Sequence, residues 1–277
     1  MKKLLLPLLL MVAGITRAFT QQVLPTGSLA LPVLITLSNG ETASGFYLDY
    51  SNHLFLATAR HVLFAQDGRL KSKEAKLSSS AFTTGKPESL LTVNLGILES
   101  NKQIRVHPSH DVAVVRLARK GSVSGFDFDL LVVKPVSNPK GGFATIRPDM
   151  IRRFADVMVG EDVFVFGYPT SIGLRQSPKF DYSKPLLRKG IVSAIYPKAQ
   201  TIILDSSMYF GNSGGPVMEV SHLADAKQFK VVGIVSEMIP FLDVWENKRF
   251  NYTTGNLSNS GYSVVEPVDY LIELTWD

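Results

Sequence analysis

Gly211-Asn212-Ser213-Gly214-Gly215-Pro216 is the stretch on which the rest of the sequence turns. Glycine and asparagine adopt backbone conformations closed to most residues, so taken alone the stretch reads as a flexible turn. It also has a chemical reading. A sharp bend would expose the Ser213 hydroxyl while nearby backbone N–H groups face one acyl oxygen and stabilise the charge formed during attack.

A protonated serine hydroxyl is a weak nucleophile and needs a base. His61 ends Ala57-Thr58-Ala59-Arg60-His61 and opens an apolar run at Val62, a position that suits the rim of a groove. Taken alone it is equally a structural or surface histidine. Asp111 follows His107-Pro108-Ser109-His110 and leads into Val112-Ala113-Val114-Val115-Arg116-Leu117. An acid at the head of an apolar strand can face a cleft and orient the far nitrogen of a histidine; as a loop acid it would be merely solvated. The three residues lie 50 and 102 positions apart, so only a folded chain can assemble them.

Around these residues the chain alternates short β-branched and aromatic runs with turn residues, which predicts an all-β fold. Candidate strands are 33–37, 45–48, 53–58, 90–95, 111–117 and 130–133 in the first half, and 163–166, 190–196, 201–204, 215–220 and 230–236 in the second. Prolines and glycines make 134–149 the best linker candidate. Residues 169–187 read as a mobile loop and 243–260 as a long surface excursion, either able to shape a groove. Residues 268–274 suit a short C-terminal helix. Two antiparallel barrels, 19–140 with His61 and Asp111 and 141–277 with Ser213, fit this pattern better than one open sheet.

Thr58-Ala59-Arg60-His61-Val62, the segment around Asp111 and the segment around Ser213 together resemble the chymotrypsin-like serine proteases, nearest to the protease domain of the bacterial Deg/HtrA branch. Phe166-Gly167-Tyr168-Pro169, Lys189 to Ser193 and Val232 to Ser236 are similar to framework segments of that family, and the likeness runs from about residue 30 to 275. The resemblance implies two packed six-stranded antiparallel β-barrels and a serine endopeptidase. In that scheme His61 accepts the Ser213 proton, Asp111 holds the useful tautomer, and the N–H groups of Gly211 and Ser213 form the oxyanion hole. An acyl-enzyme on Ser213 is then hydrolysed, with no metal or other cofactor required.

The same resemblance places Ser207, Met208, Phe210, Ser236, Glu237 and Met238 against a protein or peptide substrate. No acid is clearly placed at the pocket base, so a neutral small or medium residue before the cleaved bond is expected; the Glu237 carboxylate keeps a basic one open. Tyr209 and Phe210 can line the groove, but their bulk suits packing between the barrels slightly better. Asn212 stands where many secreted relatives carry an aspartate, and an amide lacks the charge to pair with a newly cut N-terminus. His107 and His110 beside Asp111 raise a metal site, yet they lack a convincing set of further ligands. Nothing after residue 275 accommodates the appended peptide-binding domain of many bacterial relatives, which predicts a stand-alone enzyme. The alternatives are an inactive protease-like binding protein and a serine esterase.

Met1-Lys2-Lys3, the apolar run Leu4 to Ile15 and Thr16-Arg17-Ala18 read as a signal peptide spanning residues 1–18, and hence as export to a bacterial periplasm or the medium. The apolar run is too short for a stable membrane anchor. Three units of the net charge of +5 belong to Lys2, Lys3 and Arg17, leaving +2 on residues 19–277. That balance gives no basis for nucleic-acid binding. With no cysteine, disulfides, thiolate ligands and a cysteine nucleophile are all excluded.

Overall fold

The computed structural model describes residues 24, 26–80, 87–121, 125–137, 143–170, 178–179, 181–223 and 226–275. The expected signal peptide, residues 1–18, the expected boundary at 140/141 and much of the loop expected over 169–187 lie outside these residues.

Period-two alternation builds the first sheet. In Glu74–Ser80, for instance, Ala75, Leu77 and Ser79 are buried while Glu74 and Lys76 are exposed. The elements are β1 (Pro32–Leu37), β2 (Thr42–Tyr50), β3 (His53–Thr58), α1 (Arg60–Leu63), β4 (Glu74–Ser80), β5 (Pro87–Asn94), α2 (Leu95–Ser100), β6 (Ile104–Val106), β7 (Ala113–Lys120), β8 (Phe126–Phe128), β9 (Val133–Ser137) and β10 (Thr145–Ile146). They form a half-barrel in the order β6-β7-β3-β2-β1-β4-β5-β9, with β10 on β2 and β8 on β7. The second sheet comprises β11 (Asp162–Gly167), β12 (Leu186–Tyr196), β13 (Thr201–Asp205), β14 (Pro216–Leu223), β15 (Ala226–Asn247) and β16 (Tyr252–Pro267), followed by α3 (Val268–Glu273). It closes as a six-stranded barrel in the order β11-β12-β13-β16-β15-β14.

The all-β character, the paired sheets and the short terminal helix follow the sequence. The first sheet exceeds six strands because β6, β8 and β10, too short to show alternation, pair at its margins. The strand expected over 130–133 starts only at Val133, because a turn precedes it: Leu131 N–H donates to the Asp129 carboxylate and Val132 N–H to the Asp129 carbonyl. The interval 134–149 is partly strand. β9 accommodates Pro135 by pairing only with β5 at the sheet edge, where a missing N–H is tolerated. Beyond 140, β10 pairs with Tyr47 and Leu48 of the first sheet. The surface excursion expected over 243–260 is a paired β ribbon.

Strands buried on both faces join the two halves. On β11, Val163 and Val165 face the interior of the second barrel, whereas Phe164 and Phe166 belong to the larger core shared with the first sheet. β14 repeats this with Val217 inside and Met218 and Val220 outside, and β15 with Val232 and Val235 inside and Val231 and Ile234 outside. Such strands read as continuous apolar runs.

One buried ionic cluster lies within this apolar frame. Glu219 on β14, only 1% exposed, binds Arg152, which also reaches Glu161 at 3.1 Å. Burial first, and then the Glu161 charge, push the Glu219 carboxyl up to about 7 against the pull of Arg152. A raised acid takes up its proton more readily when folded than when unfolded, so stability contributed by this group declines as pH rises from 4.5 to about 7. Thermal melts of the parent and Glu219→Gln at about pH 5 and about pH 8 test this. The parent is expected to lose more stability at the higher pH than the variant; equal losses would contradict it.

Candidate active site

Register brings His61 and Asp111 together. β3 pairs with β7 through Thr58↔Ala113, so α1, which follows β3, abuts the residues that precede β7. His61 N–H donates to Asp111 Oδ1 at 2.9 Å, and His61 Nδ1 lies 2.6 Å from Asp111 Oδ2. The carboxylate thereby accepts a donor that the start of α1 leaves without a helical partner. With Nδ1–H directed at the carboxylate, Nε2 is left as a proton acceptor. Ser236 Oγ donates to the same Oδ2 at 2.7 Å. Burial pushes the Asp111 carboxyl up, but His61 and the Ser236 hydroxyl outweigh it and hold the group below the ordinary aspartate value.

Ser44 on β2 organises the segment around Ser213. Its buried Oγ donates to the Gly211 carbonyl at 2.6 Å and accepts from Tyr168 N–H at 2.9 Å, and its own N–H donates to the Ser213 carbonyl at 3.0 Å. The Phe210 carbonyl is drawn to Thr170, accepting from its N–H at 2.7 Å and its hydroxyl at 3.1 Å. Across a trans peptide this turns the Gly211 N–H the opposite way. Gly211 has φ +94°, and a Cβ there would collide with the Tyr168 carbonyl, so no other residue fits. Among the described residues, neither Gly211 N–H nor Ser213 N–H has an acceptor. Ser213 Oγ donates to the Ser236 carbonyl at 3.3 Å, long for a hydroxyl donor.

A second layer backs Asp111. Glu266 accepts from Asp111 N–H at 3.4 Å and lies 2.9 Å from His110 Nδ1, while the His110 ring stacks on Tyr270 at 3.7 Å. His107 Nδ1 accepts the His110 N–H at 3.0 Å, so this ring carries its proton on Nε2, which faces Glu273 at 3.5 Å. Both histidines thus brace the segment carrying Asp111. Among the described residues, no group of three or more His, Cys, Asp or Glu side chains converges to hold a metal.

His61 and Ser213 share one cavity of about 690 Å³. Met208, Phe210, Gly211, Glu237 and Met238 also line it, but Ser207 and Ser236 do not. The Ser236 side chain is turned to Asp111 instead. Packing of Tyr209 and Phe210 between the barrels is not what the structure has: both are exposed along this cavity, Phe210 at 79%, and Tyr209 carries the Arg188 guanidinium over its ring. Glu237 is exposed at the rim. Inside, the buried Met208 and the half-buried Met238 meet Asn259, whose amide donates to the Met208 carbonyl and lies 3.8 Å from Met238 Sδ. The wall from the first sheet, including Asn39, Glu41 and Lys71, was not singled out in the sequence. In the sequence Asn39-Gly40 reads only as a turn signal, and Ser44, Thr170 and Asn259 carry no signal of their own.

A family model described as trypsin-like peptidase domain matches residues 43–234. The chain belongs to that family and is a serine endopeptidase. Solved structures of similar fold include the protease Anisep from Arthrobacter nicotinovorans, 14% identical over 86% of this chain and 88% of that one, with TM-score 0.49. The serine endoprotease from Yersinia pestis is 15% identical over 91% of this chain and 66% of that one, with TM-score 0.46. The HtrA-type protease AlgW, solved with a tripeptide, is 15% identical over 90% of this chain, with TM-score 0.48, and the present chain spans 60% of its length. Comparison with curated proteins found no match. No helix among the described residues is long and apolar enough to cross a membrane.

Two substitutions test the supports of the site. Ser44→Ala leaves the Gly211 carbonyl and Tyr168 N–H without their buried partner and is expected to cost about 1–3 kcal/mol in urea unfolding; a cost near zero would contradict the bonds. In Ser236→Ala the Asp111 carboxyl loses one donor, so its titration, followed by carbon NMR, is expected to move to higher pH. An unmoved titration would show that the Ser236 hydroxyl does not hold the charge.

Proposed function

We propose that this endopeptidase cleaves exported or extracellular polypeptides through a Ser213 acyl-enzyme, with a neutral small or medium residue before the cleaved bond. The observation that carries this reading is the 2.6 Å pair of His61 Nδ1 and Asp111 Oδ2 at the cavity that also holds Ser213. Attack requires the Ser213 hydroxyl to exchange its long bond with the Ser236 carbonyl for one with His61 Nε2, a small loss for so weak a contact. His61 takes the proton as Oγ bonds to the acyl carbon, and Asp111, kept ionised, stabilises the imidazolium. The N–H groups of Gly211 and Ser213 receive the oxyanion. His61 then protonates the departing amine, and water attacks the acyl-enzyme by the same relay. The neutral preference rests on Met208 and Met238, which line the cavity and are backed by the Asn259 amide, with the Glu237 carboxylate out at the rim.

Incubating the protein and Ser213→Ala with a diverse peptide library, and reading product masses, tests the proposal. Cleavage after small or medium neutral residues is expected, falling about 10⁶-fold in the variant. Cleavage mainly after Lys or Arg would overturn the preference and give Glu237 the deciding role. Binding without turnover would support an inactive scaffold, and turnover of esters alone an esterase.

A further inference from the structure

The barrel uses only part of its two longest strands. β14 pairs with β15 as far as Ile234, and β13 pairs with β16 from Tyr262 onward. Beyond these points β15 and β16 pair only with each other, from Pro240↔Asn259 to Asn247↔Tyr252. Among the described residues, no strand pairs with the other edge of β15 past Ile234. The result is a two-stranded ribbon whose unpaired main-chain edge starts past Val235, which is itself bonded to Gly214 and Gly215, and runs from Glu237 and Met238 on the cavity wall.

A free ribbon in water is expected to be polar on both faces, and this one is not. Residues directly opposite in antiparallel strands share a face. One face therefore carries Pro240 with Asn259, Leu242 with Leu257 and Val244 with Gly255. Leu242, Val244 and Leu257 are all exposed. The Leu242 side chain leans toward Gly255, where an added Cβ would come within 3.4 Å of it. Asn259, on this same face, is the residue that touches Met208 and Met238. The apolar strip is thus continuous with the wall of the substrate cavity.

We infer that the free edge of β15 binds the substrate as an added strand, and that its occupant is a stretch of unfolded polypeptide rich in β-branched and aromatic residues, about five to nine positions before the cleaved bond. This rests on the proposed endopeptidase reading and extends the same site. An extended chain beside Ser236 to Met238 advances about 3.3 Å per residue, the same rise as β15, so every second residue of it falls beside 240, 242 and 244. Its side chains then stand as cross-strand neighbours of Leu242 and Val244. Continuity of edge and face with the cavity favours the substrate over a second copy of this chain as occupant.

The test uses one cleavage sequence in three peptides: a four-residue upstream arm, a ten-residue arm with Val and Phe at positions five to nine, and a ten-residue arm with Gly and Ser there. The apolar long arm is expected to raise kcat/KM about tenfold over the short peptide, mainly through KM, and the polar arm to add little. In Leu242→Ser/Val244→Ser, shown to be folded by its urea midpoint, the long-to-short ratio is expected to fall to about one. An unchanged ratio, or equal turnover of all three peptides by the parent, overturns the inference. Binding of labelled long peptides to Ser213→Ala separates the two proposals. If the parent cleaves none of the three, the endopeptidase reading fails, and tighter binding of the apolar arm, lost in the ribbon variant, still supports the strand. Equal binding of apolar and polar arms overturns it. So does a concentration-dependent dimer in sedimentation that the ribbon substitutions abolish without changing peptide binding.

Discussion

One buried serine ties the segment around Ser213 to the strand that leads to His61. Ser44 lies on a strand of the first sheet, yet its side chain and N–H grip the carbonyls of Gly211 and Ser213 from the second, and its own carbonyl accepts the Thr58 hydroxyl at 2.8 Å. Thr58 ends the strand that delivers His61. Ser213 and His61 therefore share a short chain of bonds through one residue, rather than depending on the general fit of two barrels. A polar group with every bond satisfied fixes position more sharply than apolar contact, because its partners must be met at defined distances and angles.

That arrangement needs the barrels to be joined without slack. β11, β14 and β15 supply this by being apolar on both faces, so that each contributes to two cores at once. A shift of one half against the other would open voids beside Phe166 and Ile234, and close-packed interiors resist that. The turn at Gly211 to Gly215 is set against this seam. Gly214 N–H donates to the Val235 carbonyl at 2.8 Å and Val235 N–H to the Gly215 carbonyl at 3.0 Å.

The parts legible in the sequence were those with a local cause. Gly211 announces itself because its φ and the nearby Tyr168 carbonyl exclude any side chain. The strands announce themselves by alternation, as far as they are long enough to show it. Ser236 carried a half-legible signal: its place beside the groove was expected, but its bond to Asp111 joins positions 125 apart and depends on how the two sheets meet. Ser44 and Asn259 had no local signal at all. A serine or asparagine in a strand looks like a solvent-facing residue until its partner, 167 positions away for Ser44 and Gly211, is in place. Ribbon pairing over 240–259 was obscured for another reason, since its residues mix charges, proline and glycine that usually mark loops.

Burial divides the site by task. Ser44 and Ser236, which bond to the segment around Ser213 and to Asp111, are nearly inaccessible, so their hydrogen bonds are not contested by water. Groups that meet the cleft from outside, Phe210, Glu237 and the apolar ribbon residues, are exposed. An exposed aromatic or aliphatic residue contributes nothing to folding by remaining in water, whereas covering it with an extended chain removes apolar area at about 25 cal/mol per Å². On the proposed reading, the exposed apolar residues of the cleft and ribbon are those that a substrate strand, rather than the fold, would cover.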